Sequence, residues 1–471
     1  MVALLPASTP LPRPPNGFSL VSLNVLLPNS IDGWWLYKYY PPGVPDAAMA
    51  WPARAALLES LLLRADPDIV CLQECAAESF EADFSFLHRA GYDAALYGKG
   101  RMRPATLWKA SRFALCDAAG ALAPADPELV RPAGAQDGAP LAYTTLPGTT
   151  PGVTQGDRTL LTALRLLGDD GAPAAAAPPL WIVNVHLSAG AEARRRLSQV
   201  HDGLDRIRKQ RAKALPKDHP PRAAVVVAGD FNSQGATAVR ELLTRGEVLP
   251  DYREAGDPTE REQASTEVTS KPKRQVVGAF VDACDGGALC GPTYYAPTLQ
   301  PLMVDDATGA ITDGLRAALA DCFAKLSADG KVLTMEEQRK WLVAVNKKEG
   351  RGSEWRAAAK AREAKGSDAL EIDDFVGVYE EEVAQGKFWG VEHDLRVLRG
   401  DGLAVAGAAP FTAVFDYVFA SDSLEVVGAQ PPLDEARAAM LANGETWLPN
   451  EWYASDHLPV AAALRFREGP A

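Results

Sequence analysis

The sequence has 471 residues, of which 47% are hydrophobic and 23% are charged, and its net charge is −13 at pH 7. This composition is typical of a globular chain that is long enough to bury a large core. It excludes a protein that attracts polyanions through its overall charge, so a phosphate must be bound by a local cluster or a bound cation. No apolar run approaches the length of a membrane span, and we interpret residues 1–16 as a disordered leader.

The six cysteines are too sparse for a disulfide scaffold, and no CxxC pair suggests zinc. We therefore expect a reducing compartment, and an intracellular location in the cytoplasm or nucleus is favoured. Targeting to an organelle, protein partners and the oligomeric state stay open.

Strand-like and helix-like segments alternate along most of the chain. The predicted elements are a strand at 18–27, a helix at 51–64, strands at 68–74 and 180–190, a basic amphipathic helix at 191–215, and strands at 223–233, 412–421 and 455–464. Residues 118–158 and 165–180 are rich in Ala, Gly and Pro and predict loops. This alternation predicts an α/β fold whose polar strand ends gather at one rim.

A different composition marks residues 305–385, where Val-rich strands give way to helical patterns. We predict a helical insert there, which divides a second domain into residues 17–304 and 386–468. The basic helix at 191–215 is more simply a solvated face than a nucleic-acid groove. The aromatic run WWLYKYY (34–40) could stack nucleobases, and packing in the core or at the rim explains it equally well.

Acidic, amide and histidine side chains recur at the ends of the predicted strands. They are Asn24, Glu74, His186, Asp230, Asn232, Asp416, Asp456 and His457. Any one of them alone is most simply a turn residue or a helix cap, but their recurrence weakens that interpretation. Carboxylate and amide oxygens suit a hard cation such as Mg²⁺, and histidines near carboxylates can transfer protons or donate hydrogen bonds to a phosphoryl oxygen.

These strand ends occur in six ordered motifs: "SLNVLL", "LQE", "NVHLS", "GDFNS", "FDYVFAS" and "SDHLPV". The set resembles the endonuclease/exonuclease/phosphatase superfamily. The resemblance implies a four-layer α/β sandwich of two mixed β-sheets flanked by helices, and the in-line hydrolysis of a phosphoester. It also implies that Glu74 is the main ligand of Mg²⁺ or Mn²⁺, supported by Asn24 and Asp456.

The same resemblance implies roles for the other strand-end residues. Asp230 would orient or activate the attacking water, and Asn232 would hold the scissile phosphate or the nucleophile. His457, supported by Asp416, would act as an acid, a base or an electrostatic group. His186 would donate a hydrogen bond to a phosphate oxygen.

Two segments resemble one branch of the superfamily, the deadenylase-like enzymes of the nocturnin, Angel and carbon catabolite repressor type. They run from Tyr39 through Arg54 to the strand "ADPDIVCLQE", and over "LPNEWYASDHLPV" near the end. That branch acts on RNA 3′ ends or related phosphoesters. Residues 80–159 match nothing in it, so recognition of a base stays open.

The helical insert has a resemblance of its own, to an EF-hand. In "KLSADGKVLTME" (325–336), the sequence places at positions three, five, seven and twelve the residues Ser327, Asp329, Lys331 and Glu336. Position one is Lys325, a cation where an aspartate is expected. A second half-site, 363–374, lacks the glycine. The chain is similar to plant and algal members with an EF-hand insert, and the open alternatives are calcium binding and a degenerate helix pair kept for packing.

Three functions remain open from the sequence. The first is a Mg²⁺-dependent ribonuclease, a 3′ exonuclease that calcium could regulate. The second is a phosphatase or phosphodiesterase on a small molecule or lipid headgroup, such as an inositol phosphate or sphingomyelin. The third is a calcium-responsive binding protein with a vestigial catalytic face, which the completeness of the motif set disfavours.

Overall fold

The computed structural model describes residues 11–27, 36–123, 144–175, 177–216, 224–254, 267–405 and 407–467. Residues 1–10 of the predicted leader, together with Trp34 and Trp35 of the aromatic run, lie outside these ranges.

Most of the described strands belong to two large sheets. The strands are β1 (Gly17–Asn24), β2 (Ile69–Ala76), β3 (Tyr92–Leu96), β4 (Met102–Lys109), β5 (Phe113–Leu115), β6 (Thr144–Thr145), β7 (Val153–Gln155), β8 (Thr159–Leu166), β9 (Leu180–His186), β10 (Ala224–Asp230), β11 (Glu247–Val248), β12 (Lys273–Arg274), β13 (Phe280–Asp282), β14 (Tyr294–Ala296), β15 (Val332–Leu333), β16 (Leu370–Glu371), β17 (Phe411–Ala413), β18 (Asp416–Ser421), β19 (Leu424–Gln430) and β20 (Val460–Phe466).

Helices flank the sheets and form the insert. They are α1 (Asp46–Met49), α2 (Trp51–Ala65), α3 (Phe80–Asp83), α4 (Ser85–Arg89), α5 (Ala193–Ala214), α6 (Ala238–Arg245), α7 (Gln300–Met303), α8 (Asp313–Leu326), α9 (Met335–Asn346), α10 (Ser353–Lys365), α11 (Ile372–Ala384), α12 (Phe388–Arg399) and α13 (Glu435–Ala442), with 3₁₀ turns at Leu36–Tyr39 and Asp285–Gly287. No helix in the described part of the chain combines the length and apolarity that crossing a bilayer requires.

Two mixed seven-stranded sheets form the centre of the fold. The first has the order β19-β20-β1-β2-β4-β3-β6, and the second has the order β13-β18-β10-β9-β8-β5, with β7 paired to β8. Alternate residues of each strand face opposite sides, so Leu20 packs between the sheets whereas Val21 packs under α2. The outer face of the second sheet packs on α5 and α6. This arrangement confirms the predicted four-layer α/β sandwich.

Some predicted elements have different bounds, and each difference has a local cause. The first strand stops at Asn24, because the carbonyls of residues 25–27 accept hydrogen bonds from a helix side chain and leave the sheet. The strand predicted at 412–421 is two strands, since β17 pairs with β14 and only β18 joins the second sheet. The last strand begins at Val460 and not at Ser455, because residues 455–459 form the loop that enters it. The predicted loop at 118–158 contains β6 and β7.

The helices from α8 to α12 pack around a hydrophobic core of their own. That core includes Phe323, Trp341 and Phe375, and it draws residues from Leu299 to Leu395. Helical structure therefore continues past residue 385, through α12, and we name the helices from α8 to α12 (313–399) together the helical insert. The loops that precede α9 and α11 pair through β15 and β16. The division of the chain into domains stays a prediction.

Cysteine chemistry is local in this fold. Cys284 and Cys290 form a disulfide across a separation of six residues. The thiols of Cys71, Cys75, Cys116 and Cys322 are free and buried. One short bond is not a scaffold, so the compartment stays a prediction.

A buried amide bridge connects the two sheets just below the rim. Gln73 of the first sheet donates from Nε2 to Oδ1 of Asn184 in the second sheet, at 2.8 Å. Asn184 in turn donates from Nδ2 to the carbonyls of Leu72 (3.1 Å) and Ala105 (2.8 Å). Gln73 and Asn184 are both 0% exposed. Because buried polar groups need partners, these bonds hold β2 and β9 in one relative position.

We expect Asn184→Leu to lower the free energy of unfolding by about 3 kcal/mol, since it leaves buried carbonyls and the Gln73 amide short of partners. Urea denaturation followed by circular dichroism measures the change. Asn443→Leu, at a more exposed amide that bonds Glu445, is the control and should stay close to the wild type. Equal midpoints for the two variants would contradict a structural role for the bridge.

Candidate active site

Six strand ends meet at one rim of the sandwich. Parallel pairing ends β1 beside β2, and β9 beside β10, at the same edge of their sheets. The antiparallel strands β18 and β20 begin at that edge. Asp230 pairs with His186 on one side and with Asp416 on the other. The topology thus gathers polar residues from distant parts of the chain.

Glu74 reaches the rim through an irregularity in its strand. The register of β2 against β4 shifts between Leu72 and Cys75, and Glu74 has a left-handed φ of 62°. A β-bulge of this kind redirects a side chain at some cost in backbone strain. The Glu74 carboxylate accepts hydrogen bonds from Asn24 Nδ2 and from the Leu27 amide, both at 3.2 Å. These bonds leave the carboxylate facing the rim.

Asp230 lies at the centre of the cluster. Its Oδ2 accepts hydrogen bonds from Asn24 Nδ2 at 3.0 Å and from Asn232 Nδ2 at 3.3 Å, and its Oδ1 accepts from the Asn232 amide at 2.7 Å. Gly229 makes this approach possible, because a Cβ there would lie 2.0 Å from the Val185 carbonyl oxygen. Its φ of 141° also favours glycine. This explains why a glycine precedes the aspartate in GDFNS.

His457 and Asp416 form a buried pair beside Asp230. The His457 Nδ1 lies 2.8 Å from Asp416 Oδ2, and its Nε2 lies 3.9 Å from Asp230 Oδ2. Burial lowers the pKa of His457, but the carboxylates of Asp416, Asp230 and Asp456 outweigh it and raise the pKa well above its usual value. The surrounding carboxylates therefore favour the protonated form of His457, in which both ring nitrogens can donate.

His186 completes the cluster from the end of β9. Its Nε2 lies 3.7 Å from Asp230 Oδ2 and 3.8 Å from Glu74 Oε1. It stands between the two carboxylates, with a side chain that is 9% exposed. A phosphate oxygen near either carboxylate would be within reach of this nitrogen.

Asp456 shows how crowded the negative charge is. Burial raises the pKa of Asp456 to about 6; the cation of His457 opposes this rise, and the charges of Glu74 and Asp230 add to it. Burial raises the pKa of Asp416 too, and its Oδ1 is a buried atom without a hydrogen-bond partner. Two of the four carboxylates at this rim, those of Asp416 and Asp456, thus have raised pKa values.

This donor set fits a divalent cation. Oxygen atoms of carboxylates and amides are the ligands that Mg²⁺ prefers. Ligand atoms of Asp230, Asp416 and His457 also lie within 4.8 Å of one another, a spacing at which they could hold a metal ion. Since a bound cation would stabilise the ionised form of Asp456, whose pKa burial raises, the burial of these carboxylates side by side favours a metal site.

The structure brings together all eight strand-end residues of the sequence analysis. It does not bring together the predicted calcium ligands. Ser327 Oγ donates to Asp329 Oδ1 at 3.0 Å, but Glu336 points outward, 77% exposed, and pairs with Lys340 at 2.8 Å. The Asp329 carboxylate accepts hydrogen bonds from the backbone amides of Lys331 and Val332.

Sequence reasoning gave no role to Arg54, which holds the rim from below. Its guanidinium, 0% exposed, donates to the carbonyls of Val25, Leu26, Leu27 and Ala454. These carbonyls flank Asn24 on one side and Ser455 on the other. A signal was present, because Arg54 shares the buried face of α2 with Leu58 and Leu62 at helical spacing.

Three further residues that the sequence did not single out fix the loop that carries His457. Ser455 Oγ donates to the Asn24 carbonyl at 2.6 Å and accepts from the His457 amide. Thr293 accepts the Asp416 amide at 3.2 Å through Oγ1, and its carbonyl accepts the Leu458 amide. Tyr294 forms a backbone bridge with His457. No local pattern marks Thr293 or Tyr294, because their partners lie more than 100 residues away.

We expect Asp456→Asn to raise the stability of the metal-free protein at pH 7 while it weakens Mg²⁺ binding. The carboxyl has a folded pKa of about 6 against an ordinary 3.8. It is ionised in both states at pH 7, and a shift of this size costs on the order of 3 kcal/mol.

Below pH 6 the folded wild type binds the proton first, so its stability rises as the pH falls and the gap to the variant closes. Thermal unfolding in EDTA at pH 7 and pH 5 measures this, with Asp401→Asn at an exposed carboxylate as the control. If the difference in stability between the variant and the wild type is the same at both pH values, then folding does not raise the pKa of Asp456.

Known proteins resemble this chain in sequence pattern and in fold. The sequence model of the endonuclease/exonuclease/phosphatase family matches residues 21–457. No curated protein matches the sequence significantly.

Solved structures of similar fold include ANGEL2, described as a 2′,3′-cyclic phosphatase in complex with adenosine-2′,3′-vanadate, at 15% identity and a TM-score of 0.48, covering 96% of both chains. They also include the human nocturnin catalytic domain with bound sulfate, at 15% identity and a TM-score of 0.38, covering 99% of this chain and 97% of that one. TDP2 from Caenorhabditis elegans is 13% identical with a TM-score of 0.37, and the alignment covers 96% of this chain and 75% of that one.

Proposed function

Because the chain belongs to the endonuclease/exonuclease/phosphatase family, whose members are phosphoester-hydrolysing enzymes, we propose that it is a Mg²⁺-dependent ribonuclease that shortens RNA from the 3′ end. The observation that carries the proposal is the convergence of four carboxylates and two histidines on one rim. The motifs around Tyr39 to Arg54 and 448–460 support the deadenylase-like substrate.

Glu74, Asn24 and Asp456 are the residues that would hold the metal ion. Glu74 and Asp456 act on one another electrostatically, since the charge of Glu74 raises the pKa of Asp456. When bound, Mg²⁺ supplies positive charge that stabilises the oxygens of the reacting phosphate. Asp230, Asp416 and His457 could also hold a metal ion, but the raised pKa of His457 disfavours this group, because a protonated imidazole has no lone pair to offer.

The remaining side chains act on water and phosphate. Asp230 accepts the proton of the attacking water. The side-chain amides of Asn24 and Asn232 hold the Asp230 carboxylate in position by hydrogen bonds. His457, held through Nδ1 by Asp416, donates from Nε2 to a phosphate oxygen. His186 donates to the same phosphate from the neighbouring strand, where its Nε2 lies 3.7 Å from Asp230 Oδ2 and 3.8 Å from Glu74 Oε1.

We expect Glu74→Gln to lower the rate of oligoadenylate shortening by at least about a hundredfold, since it removes the charge that holds the metal ion. Labelled oligoadenylate with Mg²⁺, followed on a denaturing gel, measures the rate, and thermal unfolding with added Mg²⁺ measures metal binding. Glu425→Gln, at an exposed glutamate that pairs with Arg465, is the matched control and should keep the activity.

Assays with several kinds of phosphoester decide between the functions that the sequence leaves open. Release of phosphate or of a headgroup from an inositol phosphate or sphingomyelin, with oligoadenylate intact, would overturn the ribonuclease in favour of a small-molecule or lipid hydrolase. Inertness toward every phosphoester, together with calcium-dependent capture of a partner, would favour a vestigial site. The burial and mutual hydrogen bonding of the cluster favour catalysis.

Calcium binding by the insert stays a prediction, and the structure defines what it would require. Glu337, and not Glu336, reaches back to the loop: its carboxylate accepts the amides of Ala328 and Thr334, each at 2.8 Å. Lys325 donates from Nζ to the Arg399 carbonyl and so points away from the loop. An ion in the loop would therefore need Glu336 to leave Lys340 and turn inward.

We expect Lys340→Ala to strengthen calcium binding, because it frees Glu336, and Glu336→Gln to abolish it. Isothermal titration of Ca²⁺ into the wild type and the two variants measures the affinity. Lys360→Ala, at a lysine of the insert that pairs with Glu381, is the control. If none of these proteins shows a heat of Ca²⁺ binding, the prediction that calcium regulates the enzyme is wrong.

A further inference from the structure

A cavity of about 480 Å³ lies between the helical insert and the rest of the chain. Its volume is in the range of small-molecule sites. Six aromatic side chains line it: Tyr39, Tyr294, Phe388, Trp389, Phe411 and Trp447. They come from five separate parts of the sequence, so only the tertiary structure assembles them.

The insert supplies one wall of this cavity through α12. Trp389 stacks on Tyr39, with ring centroids 4.2 Å apart and planes 24° apart. The backbone of Tyr39 is held as well, since Trp447 donates from Nε1 to the Tyr39 carbonyl at 2.8 Å. Trp389 therefore presents a ring whose orientation is already set before a ligand arrives.

A buried ion cluster keeps this wall in place. Lys38, next to Tyr39, pairs through Nζ with Glu354 at 2.8 Å and with Asp394 at 3.0 Å. All three side chains are at most 5% exposed. The Tyr37 hydroxyl also donates to the Val345 carbonyl of the insert. Because a buried charge is costly without its partners, the insert and the segment 36–39 are held as one unit.

The cavity borders the catalytic rim. The ring centroid of Tyr294 lies 5.4 Å from that of His457. The charges of Asp456 and Glu74 act on Tyr39, since they raise its pKa further after burial has raised it. Tyr294, which lines the cavity, is thus also in contact with a residue of the rim.

The chemistry of the lining suits a flat, uncharged group. The two cations among its residues are already paired: Lys38 with Glu354 and Asp394, and Arg396 with Glu392 at 2.7 Å. The Arg396 guanidinium also packs over the Trp447 ring, 5.2 Å from its centroid. A phosphate would find little free positive charge there, whereas aromatic faces bind nucleobases by stacking.

We infer that this cavity holds a nucleobase of the substrate against Trp389 while the phosphate to be cleaved lies at the rim. The inference rests on the proposed hydrolysis of RNA and adds that the helical insert is part of the substrate site. It assigns to the insert a role in binding that does not depend on calcium.

The test uses adenosine, which has a base and no phosphate, so that its binding needs neither metal nor catalysis. Isothermal titration of adenosine into the full chain in EDTA should show saturable binding. Trp389→Ala should weaken binding about tenfold, and Trp389→Phe, which keeps a ring, should stay within roughly threefold of the wild type. Trp355→Ala, which removes another tryptophan of the insert outside the cavity lining, should bind as the wild type does.

The outcomes separate this inference from the proposed function. Equal adenosine binding by the wild type and Trp389→Ala, or none at roughly millimolar adenosine, overturns the pocket whatever the activity on RNA. Uptake of a short-chain phosphatidylcholine in place of adenosine overturns it as well. Adenosine binding that depends on Trp389 supports the pocket, even if every phosphoester is left intact and the ribonuclease proposal fails. Circular dichroism shows that each variant is folded.

Discussion

The burial of four neighbouring carboxylates, those of Glu74, Asp230, Asp416 and Asp456, is the constraint on which the rest of the site depends. These carboxylates are almost out of water, and the pKa of Asp456 rises to about 6 as a result. The His457 ring and the amide donors of Asn24 offset part of the cost of this burial. A divalent cation would offset the rest. The protein thus keeps a costly charge cluster that only a ligand completes, a pattern expected of a functional site.

A rigid scaffold makes such a cluster possible. The bridge between Gln73 and Asn184 joins the sheets one residue below Glu74 and two below His186. Arg54 ties the end of the first strand to the loop before Asp456. Groups held in this way need little rearrangement when a substrate arrives, which is how fixed dipoles and charges lower a barrier. The polar contacts that set the geometry lie under the site and do not touch the substrate.

The helical insert connects to this scaffold at a sensitive position. Lys38 and Tyr39 are consecutive: the first is buried among acidic residues of the insert, and the second lies between Trp389 and the rim. A change in the insert would therefore act on Tyr39, which lines the cavity beside the rim. This connection does not depend on calcium binding by the loops of the insert. It gives the insert a structural role in either case.

Much of the site could be predicted because its residues carry a local signature. Asn24, Glu74 and Asp230 each follow an apolar run, and the end of a buried strand is a local feature of the sequence. The family, the α/β sandwich and the enzyme class followed from those motifs, and the matched family model and the two sheets confirm them. The bounds of strands were less predictable, since pairing with a distant strand decides where each one stops.

The sequence by itself determined which chemistry is available: oxygen ligands, histidines and a glycine where the backbone must pass closely. Only the tertiary structure decided that Arg54 is a positioning residue, that Asn184 bridges the sheets, and that Trp389 faces Tyr39. The physical reason is range. An apolar run with a polar residue at its end is visible among neighbouring residues, whereas a buried hydrogen bond or an aromatic stack between elements exists only once separate chain segments have packed together.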